Sequence, residues 1–287
     1  MAPDNKSSGT TQKHDSQDLS PVAPISKELD EQVQYTLSSK DEHILPEELR
    51  YRPTRQNLLD CYHYPGQLND EVVNAYLNLI TVHVNQKGFR THVLNSFFFT
   101  KLKTEGHKAV QSWVSGLAGA KLLQFDTILM PVHVNSHWML IVVHPHTGII
   151  QGYDSLSSSQ IQGEMNRVKE WLVSEFKDRN HADYWITECP DSPKQDNGSD
   201  CGVFVLASAR FAAIKQPPTY SQEDIPEMRK RVVTEIICNT CLDHNSVNGP
   251  AILKASKAVE PEFHIYQDGT EFEYDLTVKQ VSPILAN

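Results

Sequence analysis

Residues 201–214, CGVFVLASARFAAI, are apolar on nearly every side when they are placed on a helix. Such a helix is typical of a protein interior, because it has no polar face to turn toward water. Other helices and strands must therefore surround it, and the chain must build a sizeable core. Its 287 residues are enough for one large domain or two small ones.

The rest of the chain contains both strand and helix patterns. Short apolar and β-branched runs predict strands at residues 127–132, 138–144, 149–153 and 184–188, with a hairpin turn at residues 145–148. Apolar residues at helical spacing predict helices at residues 68–80, 160–176 and 225–242. Asn69 or Asp70 is expected to cap the first of these helices.

The two ends of the chain differ from its middle. Residues 1–45 are rich in Ser, Asp, Gln and Lys and have few clustered apolar side chains. Such a segment cannot bury enough surface to offset its ordering entropy, so we predict a disordered tail. The folded domain is expected at residues 46–244. Residues 245–287 are predicted to be a C-terminal extension, to which the sequence assigns no role.

Cysteine content and net charge limit the cellular compartments and the classes of binding partner that we expect. The five cysteines are odd in number and widely scattered, unlike a disulfide framework. The first residues lack a secretory pattern, and no apolar run approaches the roughly 18 residues that span a bilayer. We therefore expect an intracellular protein, nuclear or cytoplasmic, that does not insert into membranes. A net charge of −10 with 26 Lys and Arg gives no support to nucleic-acid binding.

Cys201 stands where the start of a helix would activate a thiol. Gly198, Ser199 and Asp200 are predicted to form a turn, which places Cys201 in the first turn of the buried helix. The unpaired N–H groups and the positive dipole end there stabilise a thiolate and lower the thiol pKa. A structural cysteine after an ordinary turn is the alternative, and the neighbouring residues argue against it.

Two neighbours of Cys201 fit nucleophilic chemistry. Gly202 removes side-chain bulk beside the thiol, so a substrate backbone is expected to approach closely there. Gln195 carries an amide that can reach over the turn as an oxyanion donor, and the backbone N–H of Cys201 would be the second donor.

A nucleophilic cysteine needs a base, and the base needs a group that orients it. His137 lies at the start of one predicted strand and Asp154 follows the next, at nearly equal distances from the hairpin turn. Antiparallel pairing brings such positions close together. His133 and His144 are the competing histidines, but neither has an acidic residue at the matching position across the hairpin.

The order of these residues resembles that of the Ulp/sentrin-specific protease family, which processes and removes SUMO-type modifiers. The order runs from His137-Trp138 through Asp154-Ser155 to the segment QDNGSDCG at residues 195–202. Supporting segments are LNDE at residues 68–71, FFFTKL at residues 97–102, Trp113 and residues 131–138. The resemblance covers roughly residues 54–242, which is most of the predicted folded domain.

The resemblance implies an α+β fold with a papain-like cysteine protease core in permuted order. In that fold a central mixed sheet is flanked by helices, and a buried helix carries the nucleophile. The implied activity is hydrolysis of the peptide or isopeptide bond after the C-terminal Gly-Gly of a ubiquitin-like modifier, with SUMO expected. Cys201 would be the nucleophile, His137 the base, Asp154 its orienting group and Gln195 the oxyanion donor. No metal or cofactor is required, and we expect a monomer.

Three further positions concern the substrate. Trp138 matches a family tryptophan that covers the substrate's diglycine in a narrow tunnel, and Asp70 matches a position that contacts the modifier. Gln67 stands where family members usually carry a second tryptophan as the other wall of that tunnel. Because glutamine restricts the tunnel poorly, this position leaves the choice among SUMO, NEDD8 and ubiquitin open.

Three other functions compete with this prediction. Cys238, Cys241 and His244 resemble half of a zinc site, but a structural site needs four ligands and no second pair lies nearby in the sequence. A modifier-binding module without catalysis would have lost a triad residue, whereas every triad position is filled. An acetyltransferase using acetyl-coenzyme A would need a basic cluster for the cofactor phosphates, which the sequence does not offer.

Overall fold

The structure, a computed structural model, describes residues 24–39, 44–115, 119–176 and 185–242. The helices in these ranges are α1 (Lys27–Ser38), α2 (Arg55–Tyr62), α3 (Asp70–Gln86), α4 (Ser96–Glu105), α5 (His107–Val110), α6 (Gln160–Glu175), α7 (Cys201–Ala213) and α8 (Ile225–Cys238). The strands are β1 (Thr91–Val93), β2 (Thr127–Val134), β3 (His137–His144), β4 (Ile149–Tyr153) and β5 (Ile186–Glu188). Short 3-10 turns precede β2 and α8.

The strands form one mixed sheet in the order β1-β2-β3-β4-β5. β2, β3 and β4 are antiparallel neighbours, whereas β1 runs parallel to β2 and β5 runs parallel to β4. Residues 145–148 form the tight turn between β3 and β4, as predicted. Gly148 takes a φ of 68° there, a conformation that glycine adopts without steric cost. The sheet is therefore an antiparallel meander with a parallel strand added at each edge.

Strand β3 is buried on both faces and separates two apolar clusters. Trp138, Leu140 and Val142 pack on the side of α3, α7 and α8. The alternate residues, such as Met139 and Ile141, pack on the side of α4 and α6. Successive side chains of a strand point to opposite faces. A strand that is covered on both sides is therefore continuously apolar, which accounts for the unbroken run predicted as a strand.

Helix α7 is buried along its whole length, as the all-apolar pattern predicted. It packs against β3 on one side and against α3 and α8 on others. Its charged residue, Arg210, forms an ion pair of 2.6 Å with Glu235 of α8, and both side chains are completely buried. The helix that begins with Cys201 is thus held on several sides by the core.

Part of the segment predicted to be disordered is a helix. In α1 the side chains of Leu29, Val33 and Leu37 are buried and lie one turn apart. They form an apolar stripe that faces α2 and α8. The prediction of disorder was wrong for these residues, because it weighed the polar composition and missed three apolar residues at helical spacing. Residues 1–23 and 40–43 of that segment, and the predicted extension at residues 245–287, lie outside the described ranges.

The other predicted elements differ from the structure mainly at their ends. Helix α3 has Asn69 as its N-cap, with Oδ1 accepting from the Val72 N–H at 3.1 Å, and it continues to Gln86. Helix α8 ends earlier than predicted because Asn239 takes a left-handed conformation with φ of 49°. Among the helices in the described ranges, none has the length and apolar character needed to cross a bilayer.

Candidate active site

The turn that leads into Cys201 is held by Asn197. The Oδ1 atom of Asn197 accepts hydrogen bonds from the backbone N–H groups of Ser199 at 3.0 Å and Asp200 at 3.1 Å. This side-chain turn fixes the direction in which the chain enters α7. Cys201 is then the first residue of the helix, as predicted, and is only 5% exposed.

Asp200 occupies the N-cap position of α7, but its side chain makes no capping hydrogen bond. Its Oδ1 instead lies 2.6 Å from Nη2 and 3.0 Å from Nε of Arg229 in α8. Arg229 is itself buried and also donates to the Cys61 carbonyl at 2.9 Å. An aspartate that capped the helix would occupy its first N–H groups. Because Arg229 holds this carboxylate, the start of the helix stays available to the thiol.

His137 and Asp154 meet across the β3-β4 hairpin. The strand register pairs Leu140 with Tyr153, so that His137 and Asp154 lie diagonally opposite one another just beyond the last pair. The Nε2 atom of His137 is 2.7 Å from Oδ1 of Asp154, and both residues are buried. The predicted proximity of these residues is therefore confirmed.

The competing histidines make other contacts. His133 lies opposite Trp138 in the sheet, and its ring stacks on the indole with 4.4 Å between ring centroids. His144 lies at the far end of β3, where its Nε2 is 3.1 Å from Oε1 of Gln151. Neither contact joins a histidine to an acidic side chain.

Asp154 is held in its ionised form by several hydrogen bonds. Burial alone would raise the pKa of this carboxyl, but hydrogen bonds from His137, Ser158 and the backbone of Leu156 outweigh burial and lower the pKa from 3.8 to about 2. The Leu156 N–H donates to Oδ1 at 2.9 Å, and the Ser158 N–H donates to Oδ2 at 2.7 Å. The carboxylate is thus charged and fixed in direction before any substrate binds.

The pKa values of His137 and Cys201 are shifted toward a charged pair. Burial acts to lower the pKa of His137, but hydrogen bonds to Asp154 and Cys201 outweigh it and raise the pKa from 6.5 to about 9. Burial acts to raise the pKa of the Cys201 thiol, but the hydrogen bond with His137 has the opposite effect. Backbone hydrogen bonds from Trp138 and Gly202 add to it, and the thiol pKa falls below 9.0. A thiolate beside an imidazolium is therefore favoured.

The ring of His137 is hydrogen-bonded to both Asp154 and Cys201. Its Nε2 donates to Oδ1 of Asp154, and the same ring is hydrogen-bonded to the Cys201 thiol. An acid that orients an imidazole, and an imidazole that exchanges a proton with a thiol, are the requirements for an activated cysteine. The arrangement can therefore deliver a nucleophilic sulfur at neutral pH.

Gln195 lies in the loop before the turn and is buried. Its Nε2 donates to the Asn197 carbonyl at 2.5 Å, and its Oε1 accepts from the Ser155 hydroxyl at 2.5 Å. Only one of the two Nε2 hydrogens is used by Asn197. Within the described ranges the structure records no acceptor for the second, so the amide keeps a donor for a developing oxyanion.

Trp138 is buried beside the thiol and is hydrogen-bonded to the segment that precedes α3. Its Nε1 donates to the Leu68 carbonyl at 2.9 Å. A Cβ atom on Gly202 would lie 2.8 Å from Cβ of Leu68 and 3.4 Å from Cδ1 of Trp138. The absence of a side chain at Gly202 therefore lets α7 pack closely against residue 68. The approach of a substrate backbone at Gly202 stays a prediction.

The other two predicted substrate positions lie near the start of α3. Asp70 is partly buried, and its Oδ1 accepts from the Ser96 hydroxyl at 2.5 Å. Among the described residues no hydrogen bond is recorded for its second oxygen. Gln67 is exposed, and its Nε2 is 3.5 Å from the Gly198 carbonyl on the opposite turn. Gln67 thus reaches across toward the turn before Cys201, where the resemblance predicted one wall of a tunnel.

A comparison with known protein families agrees with this arrangement of site residues. A sequence model of the Ulp1 protease family, C-terminal catalytic domain, matches residues 66–240. That range is more than half of the chain and contains every predicted site residue. The chain belongs to the Ulp1 protease family. Membership confirms the resemblance seen in the sequence, and it confirms the predicted α+β fold with a mixed sheet flanked by helices.

Two relatives of this Ulp1 family member are 30–36% identical to it over the aligned residues. Sentrin-specific protease 5 of Mus musculus is 36% identical over 175 residues, which is 59% of this chain and 22% of that protein. Sentrin-specific protease 2 of Homo sapiens is 30% identical over 228 residues, which is 74% of this chain and 37% of that protein. The chain thus spans well under half the length of these relatives.

Solved structures of Ulp1-type proteins have the same fold. The Chaetomium thermophilum Ulp1-like SUMO protease catalytic domain superposes with a TM-score of 0.67 at 23% identity, covering 76% of this chain and 91% of that one. The Ulp1 protease domain in complex with SMT3, the yeast ortholog of SUMO, gives a TM-score of 0.65 at 24% identity, covering 75% and 96%. At sequence identities of 23–24%, these superpositions show that the fold is shared and no more.

The possible zinc ligands do not form a cluster within the described ranges. Cys238 and Cys241 are buried, whereas His244 lies outside those ranges. Among the described residues, no group of three His, Cys, Asp or Glu side chains is placed to hold a metal ion. Burial raises the pKa of Cys238 to about 12, which disfavours the thiolate that binds zinc.

Two residues of this Ulp1-type site were not predicted to have a role. Arg229 lies in the last described helix, and its local sequence does not identify the turn before Cys201 as its partner. Ser155 follows Asp154 directly, but its contact with Gln195 joins residues 40 positions apart. A buried arginine within an apolar stripe is a signal of an internal ion pair. No comparable signal marks the serine.

Proposed function

We propose that this chain is a thiol protease that hydrolyses the peptide or isopeptide bond after the C-terminal Gly-Gly of a ubiquitin-like modifier, with SUMO as the preferred modifier. The observation that carries the proposal is the chain of contacts from Asp154 through His137 to Cys201, together with the lowered pKa of the thiol. The names of the sentrin-specific protease relatives support the choice of modifier.

The proposed reaction is an acyl transfer in two steps. The Cys201 thiolate attacks the carbonyl carbon of the terminal glycine, and the charge on the carbonyl oxygen is met by the Gln195 amide and the Cys201 backbone N–H. His137, protonated by the thiol, gives its proton to the leaving amine as the C–N bond breaks. Water, activated by the neutral imidazole, then hydrolyses the thioester and restores the thiol. Asp154 keeps the ring oriented throughout.

The proposed partners and setting follow from the same reaction. The substrate is a folded modifier with a flexible C-terminal tail, joined either to a lysine side chain or to a short precursor extension. Asp70, Trp138 and Gln67 are proposed to contact the modifier and its tail. We further propose that the protein acts as a monomer, without a cofactor, in the nucleus or the cytoplasm.

A panel of fluorogenic SUMO, NEDD8 and ubiquitin substrates tests the proposal. We expect SUMO to be turned over fastest, and Cys201→Ser to lower kcat by roughly 10⁴-fold or more. Cys189→Ser is the matched control, because it removes an exposed thiol and should leave the rate unchanged. Full activity of Cys201→Ser would contradict the assignment of the nucleophile.

The same panel addresses the alternative modifiers. The exposed Gln67 is the observation that favours a NEDD8 or ubiquitin substrate, because it narrows the cleft less than an aromatic wall would. Faster turnover of either substrate than of SUMO would overturn the modifier choice. A modifier carrying a C-terminal electrophile should form a covalent adduct at Cys201. Tight binding without an adduct would indicate a binding module rather than an enzyme.

A further inference from the structure

Two loops that are far apart in the sequence are tied together beside the thiol. The backbone N–H of Gln195 donates to the Ser155 carbonyl at 3.1 Å, and the Ser155 hydroxyl donates to Oε1 of Gln195 at 2.5 Å. In addition, Nζ of Lys194 donates to the Asp154 carbonyl at 2.9 Å. Ser155 and Gln195 are both buried, so water competes little for these bonds.

These contacts determine which end of the Gln195 carboxamide faces which neighbour. A carboxamide has an acceptor at one end and two donors at the other. The Ser155 hydroxyl occupies the acceptor, and the Asn197 carbonyl takes one donor. A carboxamide turned by 180° would set Oε1 against the Asn197 carbonyl, with two acceptors facing each other. The observed orientation is therefore strongly preferred, and it directs the NH₂ group away from Ser155.

We propose that Ser155 is a positioning residue for the reaction. Its hydroxyl holds the carboxamide of Gln195 so that the second Nε2 hydrogen is available to the oxyanion. The inference rests on the proposed function, in which Gln195 is an oxyanion donor. It also gives the two-residue segment Asp154-Ser155 a joint role, because the first residue orients the base and the second orients the donor.

The effect of the hydroxyl should fall on kcat. The oxyanion carries its charge only in the transition state, so a misdirected donor weakens that state and leaves substrate binding nearly unchanged. We expect Ser155→Ala to lower kcat about tenfold with little change in KM, as for the loss of one buried hydrogen bond. Ser155→Thr keeps a hydroxyl and should retain the wild-type kcat within about threefold.

A double-mutant cycle with Gln195 separates positioning from a general structural effect. Gln195→Ala should lower kcat about a hundredfold, the usual loss for one oxyanion donor. If Ser155 acts through Gln195, then Ser155→Ala should change kcat by less than about twofold in the Gln195→Ala background. Equal tenfold losses in both backgrounds would overturn the inference.

Alkylation of Cys201 with iodoacetamide supplies a readout that involves no oxyanion. Ser155→Ala should leave the rate of alkylation and its pH profile unchanged, because the Asp154–His137–Cys201 contacts do not use the hydroxyl. A shifted profile would mean that the serine supports the thiol and its base, and the inference would fail.

A crystal structure of Ser155→Ala tests the orientation directly and does not depend on activity. We expect the Gln195 carboxamide to leave its observed position or to occupy more than one. An unchanged, fully ordered carboxamide would contradict the inference even in an active enzyme. Absence of turnover by the wild-type protein would contradict the proposed function instead, and the crystallographic result would still decide the inference.

Discussion

Helix α7 carries an ionisable group near each end, Cys201 and Arg210, and the two groups have different surroundings. At its start, Cys201 lies beside His137, and the pKa of the thiol is lowered. At Arg210, farther along the helix, the guanidinium is completely buried between Glu235 and Tyr76, each 2.6 Å from Nη1. Burial acts to lower the pKa of Arg210, but Glu235 and Tyr76 outweigh it and raise the pKa.

The difference shows what separates a reactive charge from a structural one. A thiol and an imidazole have ordinary pKa values within a few units, so their surroundings can reverse which of the two holds the proton. Arg210 and Glu235 differ so widely in pKa that their surroundings only strengthen an ionisation already complete. The first pair can exchange a proton during a reaction. The second pair is fixed and links α7 to α8.

Burial alone does not explain the contrast, because other thiols of the chain are buried too. Cys61 is completely buried, and its pKa is raised to about 12, chiefly by burial and against the influence of Arg229. Cys201 is distinguished by hydrogen bonds from His137, from the backbone of Trp138 in β3 and from the backbone of Gly202 at the helix start. Its reactivity therefore depends on these donors and on the group that holds His137 in place.

The largest expected effect comes from removing the charge of Asp154, which is hydrogen-bonded to His137, the proposed base. Asp154→Asn keeps the size of the side chain but places an NH₂ group among the donors of His137, Leu156 and Ser158. We expect kcat for a SUMO fluorogenic substrate to fall by about 10³- to 10⁴-fold. Asp191→Asn, at an exposed carboxylate, is the control and should change kcat less than twofold. A loss below tenfold in Asp154→Asn would mean that His137 is oriented by other contacts.

The second prediction tests whether the buried Arg210–Glu235 ion pair stabilises the fold. Arg210→Met leaves one oxygen of the buried Glu235 without its cation, although Arg231 still pairs with the other oxygen at 2.9 Å. We expect the free energy of unfolding to fall by about 3–5 kcal/mol in urea denaturation. The kcat of the remaining folded protein should be unchanged.

The matched control for Arg210→Met is Lys27→Met in α1. Lys27 forms an exposed i,i+4 pair of 3.6 Å with Glu31, and its loss should cost less than about 0.5 kcal/mol. A loss of similar size in both variants would mean that the buried network contributes no more than a surface ion pair. Such a result would contradict the structural role assigned to the Arg210–Glu235 pair.

How much the sequence predicts also differs between the two ends of α7. The helix start, its cysteine and the His137–Asp154 pair could be predicted because a turn, a helix pattern and a hairpin are local features. The Tyr76–Arg210–Glu235 network joins three helices, and no spacing in one segment indicates it. Ser155 and Gln195 likewise meet only after the sheet and α7 have packed together.

The third prediction concerns the thiols themselves. The Cys189 side chain reaches the surface, but partial loss of solvent around its thiol raises its pKa. At pH 7, we therefore expect iodoacetamide to alkylate Cys201 about tenfold faster than Cys189. Cys61, with its pKa raised to about 12, should not react in the folded protein. Peptide mass spectrometry after timed quenching gives each rate.

The pH dependence of this reaction follows from the two shifts. As pH falls through the lowered pKa of Cys201, the thiolate takes up a proton and the rate falls. As pH rises through about 9, His137 loses its proton, and the thiolate loses the cation that stabilises it. The ratio of the alkylation rates of Cys201 and Cys189 should therefore be largest between the pKa of Cys201 and that of His137. Equal rates at pH 7 would contradict the lowered pKa of Cys201.

The smallest expected effect is at Gln67, where the resemblance to the family led us to expect a tryptophan. The glutamine is exposed and its Nε2 is 3.5 Å from the Gly198 carbonyl, so it covers the cleft only loosely. Gln67→Trp supplies a flat wall opposite Trp138, and we expect KM for a SUMO substrate to fall about three- to tenfold with kcat unchanged. Discrimination against a substrate ending in Gly-Ala should increase, because the narrower cleft excludes a side chain. Gln67→Ala serves as the control and should leave KM within about twofold. If Gln67→Trp instead lowered kcat, residue 67 would influence the thiol through Gly198, and the substrate wall and the turn before Cys201 would act as one unit.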